Sequence, residues 1–296
     1  MKVVVVVNRQ SRQGAKALAR IPELFGRSGV ALRELHAARD GEDLARFVLR
    51  AVKNGAKHVV VGGGDGAMTL AVRALAHSKT TLGVLPLGTG NSFADSLRIP
   101  FDLEGAVEVI ARGVRARVDL GRVNGTYFAG FATIGFPSIV ARSTNHGLKR
   151  LIGMGAYAAA AIVPLLRGTA FRCTVRAGSG RFTIKTRHLI IANGRYFGHA
   201  AIAPNATIVD GKLTLFTTAS RTGLDIASAY LALGLGQQAR LPNVHLLEAK
   251  KIVVETKPAQ PLDVDGDAFG RTPATFRVAP KALRVFVPAA FVDAQQ

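Results

Sequence analysis

The sequence predicts two domains of different type: an α/β domain with a parallel, doubly wound sheet, then a mostly antiparallel β-sandwich domain. The 296 residues, 48% of them hydrophobic, are enough to bury two cores. Before about residue 118, short β-branched runs alternate with helical patterns, which is typical of a parallel sheet covered by helices on both faces. Beyond it, short alternating runs indicate antiparallel strands. We therefore expect domains at residues 1–117 and 118–287, and a tail at 288–296 that can pack back on the first domain.

Hydrophobic periodicity places the individual elements. In the first domain we expect strands at Val3–Val7, Val30–Leu35, His58–Val61 and Leu82–Leu85, and helices at Ala15–Phe25, Glu42–Lys53, Ala67–Ala76 and Leu103–Arg112. In the second we expect strands at Arg117–Val123, Phe128–Ile134, Cys173–Arg176, Phe182–Asn193, Lys212–Thr217, Lys251–Thr256, Ala274–Val278 and Leu283–Val287, and helices at Leu148–Leu166 and Leu224–Leu235.

Charge is distributed unevenly along the chain. The formal net charge is +20, and the segment from Leu120 to Val209 contains eleven Lys and Arg residues and no Asp or Glu. Such a segment favours an anionic partner, either a lipid surface or a nucleic acid, while a merely solvated basic surface stays open. A single cysteine excludes an internal disulfide and a cysteine-rich zinc module, and no secretory signal is visible. We expect a cytoplasmic protein.

The longest apolar run, Leu151–Leu166, has sixteen residues between basic flanks. A transmembrane helix needs ~20 residues, so we do not expect this run to span a membrane. Packing in the core is one reading of this segment. A helix that lines an apolar cleft or touches the membrane is the other.

Two glycine-rich segments follow successive predicted strands. The first is Gly62, Gly63, Gly64, Asp65 and Gly66, and the second runs from Pro86 through Gly88, Thr89, Gly90 and Asn91 to Phe93. Glycines between a strand and a helix let backbone N–H groups approach phosphate oxygens. Because the carboxyl ends of parallel strands meet at one sheet edge, the two segments together can cradle a polyphosphate. The alternative for the first segment is an ordinary turn in which Asp65 only caps the helix.

Familiar nucleotide motifs do not fit these segments. The dinucleotide fingerprint needs an acidic residue at the end of the next strand, where this chain has Pro86, Leu87 and Gly88. The Walker A motif needs Ser or Thr after Gly-Lys, and the Gly211-Lys212 pair is followed by Leu213.

Five sequence blocks in order resemble the diacylglycerol kinase catalytic family, the bacterial lipid kinases and sphingosine kinases related to NAD kinases. GGGDG is similar to its GGDGT signature and PLGTGNSFA to its PLGTGNDFA; Asn8 with Ser11 and Gly14 resembles its opening loop. Residues Asn193–Leu213 resemble its NGxxxGGG…PxAxxxDGxL stretch, and Val264–Asp267 its late Asp-Gly-Glu.

The resemblance implies a kinase that binds ATP and a lipid alcohol between its two domains. The implied ATP-binding residues are Asn8, Gly62, Gly63, Gly64, Asp65, Gly66, Thr69, Gly88, Thr89 and Asn91. Thr207, Asp210 and Lys212, the last through its carbonyl, would form a Mg²⁺ site. Asp267 would accept the hydroxyl proton, with Asp65 acting through magnesium or a water network and Asp265 as a further catalytic carboxylate. This division of labour suits phosphoryl transfer, which depends on positioning and charge neutralisation.

The acidic run near the C-terminus has its own pattern. Asp263, Asp265 and Asp267 alternate in a strand-like stretch, so we expect all three on one face, where a cation would relieve their repulsion. A calcium loop is excluded because Ala268 and Ala274 occupy its glycine and glutamate positions. A solvated acidic turn stays open.

Several residues depart from the family pattern, notably Ala67, Thr69, Leu70 and Asp267. Two functions therefore stay open: a lipid kinase acting on diacylglycerol, phosphatidylglycerol or a sphingoid-type alcohol at an anionic membrane surface, and a catalytically weak regulatory member that binds nucleotide and membrane. A soluble-substrate kinase of the NAD-kinase type is a third, less favoured reading. No nucleic-acid partner is expected.

Overall fold

The computed structural model describes residues 1–135, 169–197, 200–219 and 243–294, together with five isolated positions between 225 and 237. The predicted helix Leu148–Leu166 and most of Leu224–Leu235 lie outside the described residues. Within them, no helix is long and apolar enough to cross a membrane.

The N-terminal half is a doubly wound α/β unit, as the sequence predicts. Its parallel strands run in the order β2-β1-β3-β4, and the order reverses between β1 and β3. The elements are β1 (Lys2–Asn8), α1 (Gly14–Arg27), β2 (Ala31–Ala38), α2 (Gly41–Lys53), β3 (His58–Gly63), α3 (Asp65–Leu75), β4 (Thr81–Pro86), α4 (Ser92–Ser96) and α5 (Leu103–Arg112).

Local sequence signals begin these helices. The carboxylate of Asp40 accepts the N–H of Asp43 at 2.8 Å before α2, and that of Asp102 accepts the N–H of Gly105 at 2.7 Å before α5. Helix α2 packs against α3 and α1 against α5. Strands β1, β3 and β4 are almost wholly buried between these layers, which explains their near-continuous apolar sequence.

The C-terminal half is a β-sandwich of mostly antiparallel strands. Its described strands are β5 (Val114–Val123), β6 (Thr126–Phe128), β7 (Phe131–Gly135), β8 (Phe171–Ala177), β9 (Gly180–Thr186), β10 (His188–Ala192), β11 (Tyr196–Phe197), β12 (Ala200–Ala201), β13 (Leu213–Thr218), β14 (Val244–Ala249), β15 (Lys251–Lys257), β16 (Pro261–Val264), β17 (Asp267–Arg271) and β18 (Ala274–Val287), and a last helix, α6 (Ala289–Asp293), follows.

Two sheets enclose the sandwich core. One has the order β14-β13-β10-β7-β16-β17, and the other includes β18, β15, β8 and β9. Alternate residues of both contribute to a single buried cluster, for example Ile134, Cys173 and Phe276. Burial raises the pKa of the Cys173 thiol to about 12, so this cysteine packs as a small apolar residue.

Strand β18 joins the two halves. Near Val285 it runs parallel to β4, near Phe276 it runs antiparallel to β15, and β5 lies along its other edge. Helix α6 buries Phe291 in the same core as β1 to β4. The sheet is therefore continuous across the chain, and the predicted domain limits stay a prediction.

Some predicted strands need correction. Ala274–Val278 and Leu283–Val287 form one strand, β18, interrupted by an irregularity in its pairing with β5. Phe182–Asn193 is two strands, because the chain passes from one sheet to the other near Arg187: β9 pairs with β8, whereas β10 pairs with β7 and β13.

Candidate active site

The two glycine segments lie in van der Waals contact at the carboxyl edge of the parallel sheet. A Cβ atom at Gly88 would lie 2.4 Å from the Cα of Gly64, and one at Gly63 would lie 2.4 Å from the Cβ of Ala67. Real Cβ atoms do not approach backbone this closely, so the loops need glycine for contact as well as for ligand access. The segments that follow β3 and β4 thus form one continuous backbone surface beside the point where strand order reverses, the usual ligand site of open α/β sheets.

Asp65 links these loops through its side chain. It is the first residue of α3, while Gly64 occupies the N-cap position. Its Oδ1 accepts the N–H of Phe93 at 3.3 Å, and a Cβ at Gly90 would lie 2.7 Å from its Oδ2. The alternative that Asp65 only caps its own helix is therefore wrong: its carboxylate reaches across to the loop before α4.

Asn8, Thr89 and Asn91 complete this edge. The Asn8 carbonyl accepts the hydroxyl and the N–H of Ser11, which turns the chain sharply after β1. Asn91 is buried in a left-handed conformation, where its Oδ1 accepts the N–H of Gly88 at 3.0 Å and its Nδ2 donates to the carbonyl of Gly88 at 3.2 Å. Asn91 therefore shapes the loop, whereas Thr89 is exposed at its tip.

Asp265 fastens the C-terminal half to α3. It is half-buried in a left-handed conformation, and its Oδ1 accepts the N–H groups of Gly130 and Phe131, each at 3.0 Å. Its Oδ2 accepts the N–H of Ala129 at 3.0 Å and the hydroxyl of Thr69 at 3.1 Å. Burial raises the pKa of Asp265 above its ordinary value, and these four donors oppose the rise.

Asp265 and Gly266 form the two-residue turn of the β16–β17 hairpin. Both have positive φ, 51° and 89°, and Val264 pairs with Asp267 across the turn, as a type I′ turn requires. The expectation that the three aspartates share one face of one strand is therefore wrong. Asp263 is buried in β16, Asp265 lies in the turn and Asp267 begins β17.

Asp267 is the exposed carboxylate of the hairpin. Its side chain is 59% exposed and pairs with Arg73 of α3, with 3.5 Å between Oδ2 and Nη1. Arg73 also donates from Nε to the carbonyl of Tyr127 at 3.3 Å. Arg73 was not among the predicted site residues, although its position two turns after Asp65 places it on the same helix.

The predicted magnesium residues share one turn before β13. One Asp210 oxygen accepts the N–H of Thr207 and the other that of Lys212, both at 2.8 Å. Buried Asp119 anchors this turn, because its Oδ2 accepts the N–H of Gly211 at 2.8 Å and its Oδ1 that of Lys281 at 2.7 Å. Sequence reasoning missed Asp119; an acid inside the apolar strand run at residues 117–123 was the available signal.

One carboxylate, one hydroxyl and one carbonyl are the oxygen ligands that Mg²⁺ accepts, with water completing its shell. In kind, then, the turn fits the ion. Among the described residues no cluster of three His, Cys, Asp or Glu side chains could hold a metal. Among the described residues, no hydrogen bond joins the turn at residues 207–212 to the glycine loops.

Two family models match this chain. A family model described as diacylglycerol kinase catalytic domain matches residues 2–123, and one described as YegS C-terminal NAD kinase beta sandwich-like domain matches residues 130–287. The chain belongs to the YegS-like diacylglycerol kinase family. This membership confirms the resemblance drawn from the five sequence blocks.

Individual relatives agree with this assignment. A "probable lipid kinase YegS-like" of Pseudomonas syringae pv. tomato is 34% identical over 83% of this chain and 81% of its own length. A "diacylglycerol kinase" of Staphylococcus saprophyticus is 27% identical over 78% of this chain and 76% of its own. A crystal structure of a diacylglycerol kinase from Bacillus anthracis superposes with a TM-score of 0.80 at 23% identity, covering 98% of each chain, and supports the fold.

Proposed function

We propose that this member of the lipid kinase family transfers the γ-phosphoryl group of ATP, with Mg²⁺, to the hydroxyl of a membrane lipid. The acceptor is diacylglycerol, phosphatidylglycerol or a sphingoid-type alcohol. One observation carries the proposal: helix α3 begins in the glycine loops and, through Thr69 and Arg73, also holds the hairpin that presents Asp267. A phosphate cradle and an exposed carboxylate are therefore parts of one rigid assembly.

The chemistry follows from these positions. Backbone N–H groups of residues 62–66 and of Thr89 hold the phosphates beside the positive end of α3, while the N–H of Gly88 donates to Asn91 and fixes the shape of the second loop. Asp267 accepts the proton of the lipid hydroxyl while the oxygen of that hydroxyl forms a bond to the γ-phosphorus. The bond between the γ-phosphorus and the oxygen that bridges to the β-phosphate breaks, and its electron pair leaves with ADP. Bound Mg²⁺ supplies charge neutralisation, and Thr207, Asp210 and the Lys212 carbonyl would hold such an ion.

Transfer from labelled ATP to a panel of lipids in mixed micelles tests the reaction. We expect one lipid class to be labelled, and we expect ATP with Mg²⁺ to raise the melting temperature by binding the folded state. Gly64→Val should fold yet lose the thermal shift, because the loops must part to admit the side chain. A normal ATP shift in Gly64→Val would exclude the glycine loops as the phosphate site.

A regulatory role without turnover is the second candidate. Asp267 is one methylene shorter than the glutamate of the family pattern and is paired with Arg73. A base drawn back by ~1.5 Å needs a relayed water, and a misplacement of ~1 Å can cost ~100-fold in rate. An ATP-dependent thermal shift without labelling of any lipid would favour this candidate, as would labelling that appears only in Asp267→Glu.

Membrane contact is the remaining part of the proposal, and we place this protein in the cytoplasm at the inner membrane surface. Strands β15, β8 and β9 present outward basic side chains, which we call the basic face: Arg172, Arg176, Arg181, Lys185 and Lys257. Register pairs Arg172 with Lys185 and Arg176 with Arg181 on this face. Glu255 neutralises Arg176, so the other four cations of the basic face stay available.

Salt and lipid composition test the basic face. Each basic residue near an anionic surface contributes ~1 kcal/mol, and the Debye length falls from ~10 Å at 0.1 M salt to ~3 Å at 1 M. We expect binding to vesicles to grow with the anionic lipid fraction and to collapse at high salt. Arg172→Gln with Lys185→Gln should weaken vesicle binding while sparing activity on a short-chain soluble lipid. Equal vesicle binding by this variant would show that the face is only solvated.

A further inference from the structure

A cavity of about 840 Å³ opens at the end of the parallel sheet opposite the glycine loops. It lies where β3 and β4 begin, whereas the glycine loops lie where these strands end. Strand β3 has six residues, so at ~3.3 Å per residue the two sites are ~20 Å apart. The volume lies within the range of small-ligand sites.

The lining of this cavity is strongly basic. Five basic residues line it, two from the loops that precede β3 and β4, two from β5 and one from β18: Lys57, Lys79, Arg115, Arg117 and Arg284. No carboxylate is among its lining residues, and none of the five forms an ion pair within the described chain. Other arginines of the same half are paired, for example Arg27 with Glu23 and Arg112 with Glu108. The cavity therefore concentrates positive charge that no ion pair among the described residues compensates.

The frame of the cavity is held by hydrogen bonds. The Thr80 hydroxyl donates to the carbonyl of Ala56 at 2.7 Å, and the N–H of Thr81 donates to the carbonyl of Lys57 at 2.9 Å. These bonds join the approaches to β3 and β4. Arg115 stacks on the Phe286 ring, 5.9 Å from its centroid. A frame held in this way loses little entropy when a ligand binds.

His58 lines the cavity, and its pKa depends on the charges there. Its ring is 8% exposed, with Nδ1 3.2 Å from the Lys2 carbonyl. Burial lowers the pKa of His58 most, the hydrogen bond with the Lys2 carbonyl opposes this, and the positive charges of Arg115, the amino terminus and Lys57 lower the pKa further. An anion in the cavity would offset these cations and raise the pKa of His58.

We propose that this cavity is a binding site for a phosphate monoester, a site separate from the glycine loops. A phosphate dianion is compact and carries several acceptor oxygens, so it can pair with several Lys and Arg groups at once. A carboxylate would leave most of the charge uncompensated. The same phosphate chemistry is offered by a soluble phosphate compound and by the head group of a lipid such as phosphatidic acid.

Titration with inorganic phosphate and pyrophosphate tests the soluble source. The readout is the imidazole NMR signal of His58, assigned by its loss in His58→Asn, because phosphate at the glycine loops is too distant to move it. We expect a saturable shift and a raised pKa. Lys57→Gln with Lys79→Gln, both exposed positions, should weaken binding about tenfold. The matched double variant Arg27→Gln with Arg112→Gln removes equal charge and should bind as the parent does.

Sedimentation with phosphatidylcholine vesicles tests the lipid source. Half of the samples carry phosphatidic acid and half carry phosphatidylglycerol at equal surface charge. Preference for phosphatidic acid that disappears in Lys57→Gln with Lys79→Gln would identify a lipid head group as the ligand. A His58 shift without such preference would identify a soluble phosphate. If neither probe responds, or if both double variants weaken binding equally, the proposal is wrong.

Discussion

The glycine loops and the β16–β17 hairpin meet helix α3 by opposite means. The two loops touch each other backbone to backbone where the first leads into α3, since a Cβ added at Gly88 would lie 2.4 Å from the Cα of Gly64, and the Asp65 carboxylate adds one side-chain link. The hairpin makes contact through side chains, since Asp265 accepts four hydrogen bonds and Asp267 pairs with Arg73. A region built from backbone fails when atoms are added, whereas a region built from side chains fails when atoms are removed or their charge is changed.

Within the hairpin, the two neighbouring carboxylates differ in their contacts. The Asp265 carboxylate accepts four hydrogen bonds from residues outside the turn, whereas Asp267 is exposed with one long ion pair. This contrast predicts that substitution of Asp265 lowers stability and that substitution of Asp267 lowers turnover. A substitution that lowers both to the same extent would contradict it.

The largest expected effect is on turnover, in Asp267→Asn. The amide keeps the shape of the side chain but cannot accept a proton, so turnover should fall by ~10²–10⁴-fold. Because the side chain is 59% exposed, the melting temperature and the ATP thermal shift should stay close to those of the parent. Steady-state kinetics with the preferred lipid, beside calorimetry of the same preparation, measure both. Turnover near that of the parent would move the proton acceptor elsewhere.

The second effect concerns the loops, in Gly88→Ala. A single added carbon must push the Gly64 backbone away by about 1 Å to reach an ordinary C–C contact of ~3.5 Å, and such a displacement can cost ~100-fold in rate. We expect weaker ATP binding, measured by titration calorimetry, in a protein that still folds.

Gly26→Ala is the matched control for the loops. It also adds one carbon, but no atom lies within 4 Å of the new Cβ on the exposed face of α1. ATP binding should be unchanged and the helix slightly more stable. Equal loss of ATP binding in both variants would contradict the close-contact explanation.

The third effect is on stability, in Asp265→Ala. The change leaves the N–H groups of Ala129, Gly130 and Phe131 without their acceptor, and one such unsatisfied buried donor costs roughly 1–3 kcal/mol. Urea unfolding should show this loss of stability. Turnover should fall less than in Asp267→Asn, because the proton acceptor is still present and only its position is less well fixed. A variant as stable as the parent would show that the turn holds without its carboxylate.

The sequence predicted the fold better than it predicted the contacts at the site. Short, continuous β-branched runs such as Val3–Val7 favour buried parallel strands, and the glycine blocks mark where those strands end. The three-aspartate pattern misled because Asp265-Gly266 is also the commonest signal for a type I′ turn, which reverses the chain and separates the carboxylates.

Other contacts could not be predicted because they join residues far apart in the chain. Thr69 meets Asp265, 196 positions away, and Arg73 meets Asp267, 194 positions away. No local pattern encodes such pairs. Asp119 was equally hard to predict, since its partners Gly211 and Lys281 lie 92 and 162 positions away in the chain.

The smallest expected effect is in Thr69→Val, which removes a single hydroxyl from the link between the two regions. Thr69 donates at 3.1 Å to Asp265 Oδ2 and also lies 3.1 Å from the Asp65 carbonyl, so one hydrogen bond of about 1 kcal/mol is lost. Thr69→Ser keeps the hydroxyl and is the control.

The effect of Thr69→Val should depend on pH, because the pKa of Asp265 is raised in the folded protein. Asp265 therefore keeps its proton to higher pH in the folded protein than in the unfolded chain. The contribution of Asp265 to stability declines as pH rises from the ordinary Asp value through the folded pKa. The hydrogen bond donated by the Thr69 hydroxyl stabilises the ionised form of Asp265. Therefore the stability difference between parent and Thr69→Val should be small in acid, where Asp265 is protonated, and should reach its full size above the folded pKa. Urea unfolding across this pH range measures it, and a difference that stays constant with pH would show that the hydroxyl serves Asp65 rather than Asp265.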